Sequence, residues 1–266
     1  MASLKDKRLF LLDMDGTLYL DEQLFDKVPE FLDLIRRQGG RYLFLTNNSS
    51  RGVEGYMAKM RRLGIETAPE DYMTSADAAE HTLLTEFPGQ KCYVSGTASL
   101  KAQLRQADID VTDTLSDDIT VLLSGFDTEL TFQKLEDSCI LLNRGVTWLA
   151  TNPDWVCPTW YGSVPDCGSV CRMLTTATGR EPLFLGKPQP AMAELALRRT
   201  GFAPEQAVIV GDRLYTDIAC GVNAGIDSIF VLSGEGTEAD IAQYGIHPTW
   251  IFSDIAALYR QLEETL

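Results

Sequence analysis

Leu9-Phe10-Leu11-Leu12-Asp13-Met14-Asp15-Gly16-Thr17 decides how the rest of the chain is read. Four apolar residues run straight into two carboxylates, and a glycine and a threonine follow. An uninterrupted apolar run reads as a strand buried on both faces, as in a parallel sheet. Such sheets bind ligands beyond the carboxyl ends of their strands, which is where Asp13 and Asp15 emerge. Alternate residues of an extended chain face the same way, so the two carboxylates can converge. Gly16 lets the backbone turn sharply, and Thr17 can hydrogen-bond locally. Two like charges at one place are costly unless a cation or a proton intervenes. Alone, the stretch fits an acidic turn after a strand, a calcium loop or a magnesium-dependent phosphoryl-transfer site. The calcium loop fails. Counted from Asp13, it needs Gly at its sixth position and Glu at its twelfth, and these are Leu18 and Leu24.

The 266 residues suffice for one large domain or two modest ones. A chain that is 45% hydrophobic and 23% charged fits a globular protein rather than a disordered one. Its net charge of −15 weighs against a nucleic-acid partner, because no basic patch is visible to hold a phosphate backbone. An anionic substrate would need a local positive centre, such as a metal or a placed lysine. Residues 1–8 are polar and charged, and no apolar run reaches the length of a membrane span, so a cytoplasmic protein with no membrane partner is expected. The six cysteines form no Cys-x-x-Cys pair, and no histidine lies near Cys167 and Cys171 to complete a zinc site. All six are expected to be reduced, mostly packed thiols. The two histidines, His81 and His247, lack nucleophile-rich surroundings, which argues against a Ser-His-Asp mechanism.

Outward from the acidic stretch, apolar strands alternate with helical patterns. Residues 28–38 predict a helix and 42–45 a second buried strand, which makes a right-handed parallel crossover unit. Residues 75–87 predict a helix capped by Ser75 or Asp77. From Lys91 the rhythm restarts as a second α/β unit inserted into the first. Within it, 151–168 reads as a loop rich in Pro, Gly and aromatics, and 169–178 as a helix. The first pattern resumes after 183–185, with a further buried strand at 207–210. Asp254 is suited to cap the final helix, 255–264.

Four strand ends then carry polar residues suited to one phosphate: Asp13-x-Asp15-Gly16-Thr17, Thr46-Asn47, Lys187, and Asp212 with Asp217. Each has an ordinary explanation. Thr46-Asn47 could be a turn, Lys187 a surface lysine, Asp212 an N-cap and Asp217 a solvated helix residue. In this order, each just after an apolar strand, they form a specific set.

The set resembles the four motifs of the haloacid dehalogenase superfamily of phosphatases. An insertion between the second and third motifs is similar to the subfamily IIA members with a large C2-type cap, the NagD-like and 4-nitrophenylphosphatase-like group. Residues 121–127, Leu149-Ala150-Thr151-Asn152-Pro153-Asp154 and Ala177-Thr178-Gly179 look like that group's cap. Pro165-Asp166-Cys167-Gly168-Ser169 departs from its usual Pro-Gly-Ala-Gly-Ser. The resemblance implies a Rossmann-like, doubly wound parallel α/β core at 1–77 and 184–266, with an α/β C2-type cap at 78–183. It also implies Mg2+, held by the Asp13 side chain, the Asp15 carbonyl and the Asp212 side chain, with Asp217 behind them.

In this reading Asp13 is the nucleophile, since a carboxylate of ordinary pKa is ionised at neutral pH. Asp15 is the acid/base, a residue that the superfamily's dehalogenases lack. Lys187 would pair with Asp13 and the phosphate, while Thr46 and Asn47 would bind the remaining phosphate oxygens. The cap would select the leaving group. Asp154 is its foremost candidate, with Asn152, Trp155, Trp160 and Tyr161 beside it; the two tryptophans could equally be core or hinge packing. The implied substrate is a small phosphorylated metabolite of the sugar phosphate or nucleoside monophosphate type. A homodimer is allowed, since related caps often mediate dimers. Three other readings stay open to different degrees: a phosphotransferase, a non-catalytic phospho-ligand binding protein and a phosphoaspartate receiver. The receiver fits worst, because its metal acids precede its phosphorylated Asp and it is about half this length.

Overall fold

A computed structural model describes residues 3–159 and 161–264. Its contacts divide into two compact units. The first comprises the chain through Thr46, Tyr56–Met73, and the chain from Lys187 on; the second comprises Asn47–Gly55 and Thr74–Gly186.

The first unit is built on a six-stranded sheet of β1 (Leu9–Leu12), β4 (Arg41–Thr46), β5 (Tyr72–Thr74), β13 (Ala207–Gly211), β14 (Asp227–Val231) and β15 (Trp250–Phe252). A two-stranded hairpin, β2 (Tyr19–Leu20) and β3 (Gln23–Leu24), follows β1. The sheet order β5-β4-β1-β13-β14-β15 is that of a doubly wound nucleotide-binding sheet. β1 is parallel to both β4 and β13, so the direction of winding reverses beside it. Every residue of β1 and of β13 is buried, as their unbroken apolar runs require. Helix α1 (Val28–Arg37) packs inward through Phe31, whose ring meets Phe10 edge-on at 5.6 Å. Helices α2 (Val53–Arg62), α7 (Ala191–Thr200), α8 (Ala219–Ala224), α9 (Glu238–Tyr244) and α10 (Ile255–Glu264) complete this part of the chain. Asp254 caps α10 as expected, its Oδ1 accepting the Ala257 N–H at 2.7 Å.

The second unit carries a five-stranded parallel sheet in the order β12-β9-β8-β6-β7. Its strands are β6 (Cys92–Ser95), β7 (Val111–Thr112), β8 (Val121–Ser124), β9 (Thr147–Ala150) and β12 (Leu183–Phe184). Its helices are α3 (Ser75–Glu86), α4 (Ala98–Gln106), α5 (Phe132–Arg144) and α6 (Cys167–Thr178). Leu122, Leu141, Trp148, Cys171 and Leu174 lie at the centre of its core. All six cysteines are free, four of them buried. No helix among the described residues is long and apolar enough to cross a membrane.

Three local expectations need correction. Helix α3 is capped not by Ser75 or Asp77 but by Thr74, whose hydroxyl accepts the Asp77 N–H while Asp77 returns a bond to the Thr74 N–H. Both residues of this capping box lie in the second unit. Residues 151–168 are not a plain loop. They contain an antiparallel ribbon of β10 (Val156–Thr159) and β11 (Gly162–Pro165). Pro158 and Pro165 argued against strands, but a two-stranded ribbon is all edge and tolerates missing donors. Helix α6 starts at Cys167, ahead of 169, because Asp166 caps it through the Cys167 N–H at 2.5 Å.

Candidate active site

The chain leaves β1 at Asp13, whose N–H still continues the ladder to Val210 at 2.9 Å. Gly16 then turns at φ +85°, a conformation that favours glycine. β13 ends similarly at Gly211, and Asp212 follows. Since β1 and β13 are neighbours, their two carboxylates emerge side by side at the point where the winding reverses. Asp217 joins them from a π-turn, Leu214–Ile218, and is only 1% exposed. A wide turn of this kind is common at functional sites because it redirects a side chain within a helix. The ligand-capable oxygens of Asp13, Asp212 and Asp217 all lie within 4.8 Å of one another.

Lys187 enters this group at 2% exposure. Its ammonium donates to Asp13 Oδ1 at 2.6 Å, to Asp217 Oδ1 at 2.6 Å and to the Leu45 carbonyl at 3.2 Å. Burial alone would favour loss of its proton, but the Asp13 and Asp217 charges outweigh burial and hold its pKa well above the ordinary lysine value. The surface-lysine explanation therefore falls, and so does a solvated Asp217. Burial first, and repulsion from Asp13 second, raise the carboxyls of Asp212 and Asp217 above the usual range. Asp13 and Asp217 share the Lys187 ammonium, and the Arg213 guanidinium, which attracts Asp212, is itself paired with Glu235, so negative charge is in excess. A hard divalent cation with oxygen ligands fits that donor set.

The rest of the site is neutral or lightly held. Thr17 Oγ1 lies 3.4 Å from both Asp13 Oδ2 and Asp212 Oδ1, bridging the two carboxylates. Asp15 is 61% exposed at its side chain. Tyr19 donates its hydroxyl to Asp15 Oδ2, and Lys59 its ammonium to Asp15 Oδ1, both at 3.4 Å. The protein mass around Asp15 raises its pKa, the Lys59 charge works against that, and Asp13 adds to it. Lys59 rests on the face of the Tyr19 ring, 3.8 Å from its centroid. Sequence reasoning missed both partners. Tyr19 looked like any strand aromatic and Lys59 like one of several cations on α2. Thr46 ends β4, its hydroxyl 3.5 Å from the Tyr56 hydroxyl.

The second unit holds the remaining two candidates together. Asn47 donates its amide to Asp154 Oδ2 at 3.1 Å. The Asn47 carbonyl accepts from Ser75 Oγ at 2.5 Å and from Asn152 Nδ2 at 2.8 Å. Asn152 is completely buried and also accepts the Asp154 N–H, so it is scaffold rather than a substrate-facing residue. Trp155 and Tyr161, at 60% and 65% exposure, are not core packing. Trp160 lies outside the described residues.

Comparison with known proteins agrees with this geometry. A family model for haloacid dehalogenase-like hydrolases matches residues 10–110, and one for HAD-hydrolase-like proteins matches 184–258. An acid sugar phosphatase of Staphylococcus aureus is 31% identical over 261 residues, covering 98% of this chain and 100% of the relative. The crystal structure of a 4-nitrophenylphosphatase from Thermotoga maritima superimposes with a TM-score of 0.91 at 36% identity, over 97% of this chain and 98% of that one. A glycerol phosphate phosphatase from Mycobacterium tuberculosis, solved in complex with magnesium, gives 0.89 at 32% identity, over 95% and 76%.

Proposed function

The chain belongs to the haloacid dehalogenase-like hydrolases, in their NagD-like and 4-nitrophenylphosphatase-like group, and on that premise we propose that it hydrolyses small phosphomonoesters through an aspartyl-phosphate on Asp13. The three relatives described above are named phosphatases. The observation that carries the reading is the group of Asp13, Asp212 and Asp217, the last two buried and Asp13 partly so, with the Lys187 ammonium paired to Asp13 and Asp217.

Asp13, through a side-chain oxygen, Asp212, through its side chain, and Asp15, through its carbonyl, are the residues that would hold Mg2+. When bound, the ion supplies the positive charge that lets an anionic nucleophile meet an anionic phosphate. Lys187 fixes one orientation of Asp13 and sets its positive charge beside the place where the phosphate would meet that carboxylate. Asp217 anchors that lysine from behind. Thr46 and Asn47 are assigned to the remaining phosphate oxygens.

In the first step an Asp13 oxygen forms a bond to phosphorus, and the bond from phosphorus to the ester oxygen breaks. Asp15 gives its proton to the departing alkoxide. In the second step the Asp15 carboxylate takes a proton from water, the hydroxide attacks phosphorus, and the bond to Asp13 breaks. Phosphate leaves, and Asp15 is again protonated. The shift of the Asp15 pKa is upward, the direction that an acid needs. Asp154 is assigned to recognition of the leaving group. Its replacement should alter the ranking of substrates while leaving metal affinity unchanged.

The test is phosphate release from a panel of sugar phosphates, nucleoside monophosphates and 4-nitrophenyl phosphate, with Mg2+ and then with EDTA. Metal-dependent release is expected, with covalent phosphate trapped on the wild type and none on Asp13→Asn. Release that survives EDTA, or phosphate trapped on the variant, would overturn the assignment. Transfer to an added alcohol in place of water would mark a phosphotransferase.

A further inference from the structure

The loop after β14, Ser233-Gly234-Glu235-Gly236, was not among the residues that the sequence pointed to, yet it packs directly against Asp212. Ser233 Oγ donates to the Gly16 carbonyl at 2.8 Å, which ties the loop to the turn after β1. The Glu235 N–H donates to Asp212 Oδ2 at 2.7 Å, and the Gly236 N–H to the Asp212 carbonyl at 3.0 Å. A Cβ on Gly234 would overlap the Asp212 carboxylate. The φ of Gly234 lies outside the left-handed region, so glycine is needed there for close approach and not for backbone freedom.

The Glu235 side chain closes the structure from outside. Its Oε2 lies 2.9 Å from Arg213 Nε, and its Oε1 accepts the Tyr215 hydroxyl at 2.8 Å. Arg213 and Tyr215 lie one and three residues after Asp212 in sequence. The loop and the segment that carries the carboxylate are therefore fastened twice: by backbone N–H groups, Glu235 to the carboxylate and Gly236 to the Asp212 carbonyl, and by a half-exposed Glu235 carboxylate near the surface.

We propose that residues 233–236 form a clamp that fixes the Asp212 carboxylate with its less engaged oxygen toward the metal, with Glu235 as a positioning residue. Oδ2 accepts the short bond from the Glu235 N–H at 2.7 Å, while Oδ1 has only the long 3.4 Å contact from Thr17 and is the oxygen left to bind an ion. A ligand carboxylate held by a second hydrogen-bonding group is pre-oriented, and loss of such a group typically costs about 10- to 100-fold in metal affinity. Gly234→Ala pushes the carboxylate out of place directly. Glu235→Ala keeps the N–H but frees the loop from Arg213 and Tyr215, so its loss should be smaller. Glu235→Gln retains polar partners for both and should recover most of it.

The proposal rests on Asp212 being a metal ligand, and the experiment separates the two ideas. Mg2+ binding to the metal-stripped full chain is measured by titration calorimetry for wild type, Asp212→Asn, Gly234→Ala, Glu235→Ala and Glu235→Gln. The expected order of affinity is wild type, Glu235→Gln, Glu235→Ala, Gly234→Ala, with saturable binding lost in Asp212→Asn. Gly234→Ala should fall at least ~10-fold. If Gly234→Ala does not fold, the difference between Glu235→Ala and Glu235→Gln decides. Wild-type affinity in both Glu235→Ala and Gly234→Ala, with Asp212→Asn inactive in binding, would overturn the clamp alone. Unimpaired binding in Asp212→Asn would overturn the metal assignment and the clamp with it.

Discussion

Both units are parallel α/β sheets, but they treat buried charge in opposite ways. In the cap unit each buried charge has a partner of its own. Asp127 pairs with Lys134 at 2.7 Å, and Lys101 with Asp113 at 3.1 Å. Asp137 accepts from the Tyr93 hydroxyl and from Gln133, both at 2.9 Å, and Asp166 caps a helix. The strand ends carry neutral groups bonded to one another, as in the Ser49–Thr151 hydroxyl pair at 2.9 Å and the Trp148 N–H donated to Ser124 at 3.0 Å. In the core unit, Asp13 and Asp217 share the one Lys187 ammonium, and the Asp212 carboxylate is grouped beside them. A fold can afford unmatched buried charge only where something else will supply the balance. That imbalance, more than any one residue, marks the core sheet as the seat of chemistry.

The sharpest way to break this contrast is Asp13→Asn. It removes the nucleophile while keeping the volume, and it should abolish turnover with little change in fold. Phosphate-release assays beside circular dichroism would show both; near-normal turnover would sink the assignment. Lys134→Met should act in the reverse sense on the cap. Stranding Asp127 should cost about 3–5 kcal/mol of stability, read by urea unfolding, while Mg2+ affinity stays unchanged. A change in metal affinity there would mean that the two charge systems are not independent.

Asp15→Asn should lower turnover by at least ~100-fold on an alkyl phosphate. With 4-nitrophenyl phosphate the loss should be clearly smaller, because that leaving group departs without a proton. Equal losses on both substrates would remove the acid role and leave a structural one.

Much of the core was legible because its strands are short apolar runs that stop at a polar residue. Leu9 to Asp13, and Ala207 to Asp212, place both carboxylates without reference to the rest of the chain. Lys187 was legible only through its company, since a lysine between Gly186 and Pro188 looks exposed when read singly. What stayed hidden was of two kinds. Backbone donors such as the Glu235 N–H leave no trace in residue type, although a glycine on each side of Glu235 was a signal of close approach. The β10–β11 ribbon was hidden by its prolines, which are excluded from central strands but not from a ribbon with no interior. Tyr19 meets Asp15 through the tight turn that separates them, whereas Lys59 meets it only through tertiary packing, and no sequence spacing relates Lys59 to the acidic stretch.

The most direct measurement compares the stability of metal-free wild type with that of Asp212→Asn, each with and without Mg2+. The Asp212 carboxyl is raised by burial and by Asp13. A carboxyl whose folded pKa lies above its unfolded value costs stability once the pH exceeds the unfolded value, and the cost is complete above the folded one. At pH 8 the metal-free variant should therefore be more stable than metal-free wild type, by on the order of 1 kcal/mol. Mg2+ at 100 times its dissociation constant should then stabilise wild type by about 2.7 kcal/mol and the variant hardly at all. A metal-free variant less stable than wild type, or equal stabilisation of both by Mg2+, would contradict the claim that this site holds its negative charge in reserve for a cation.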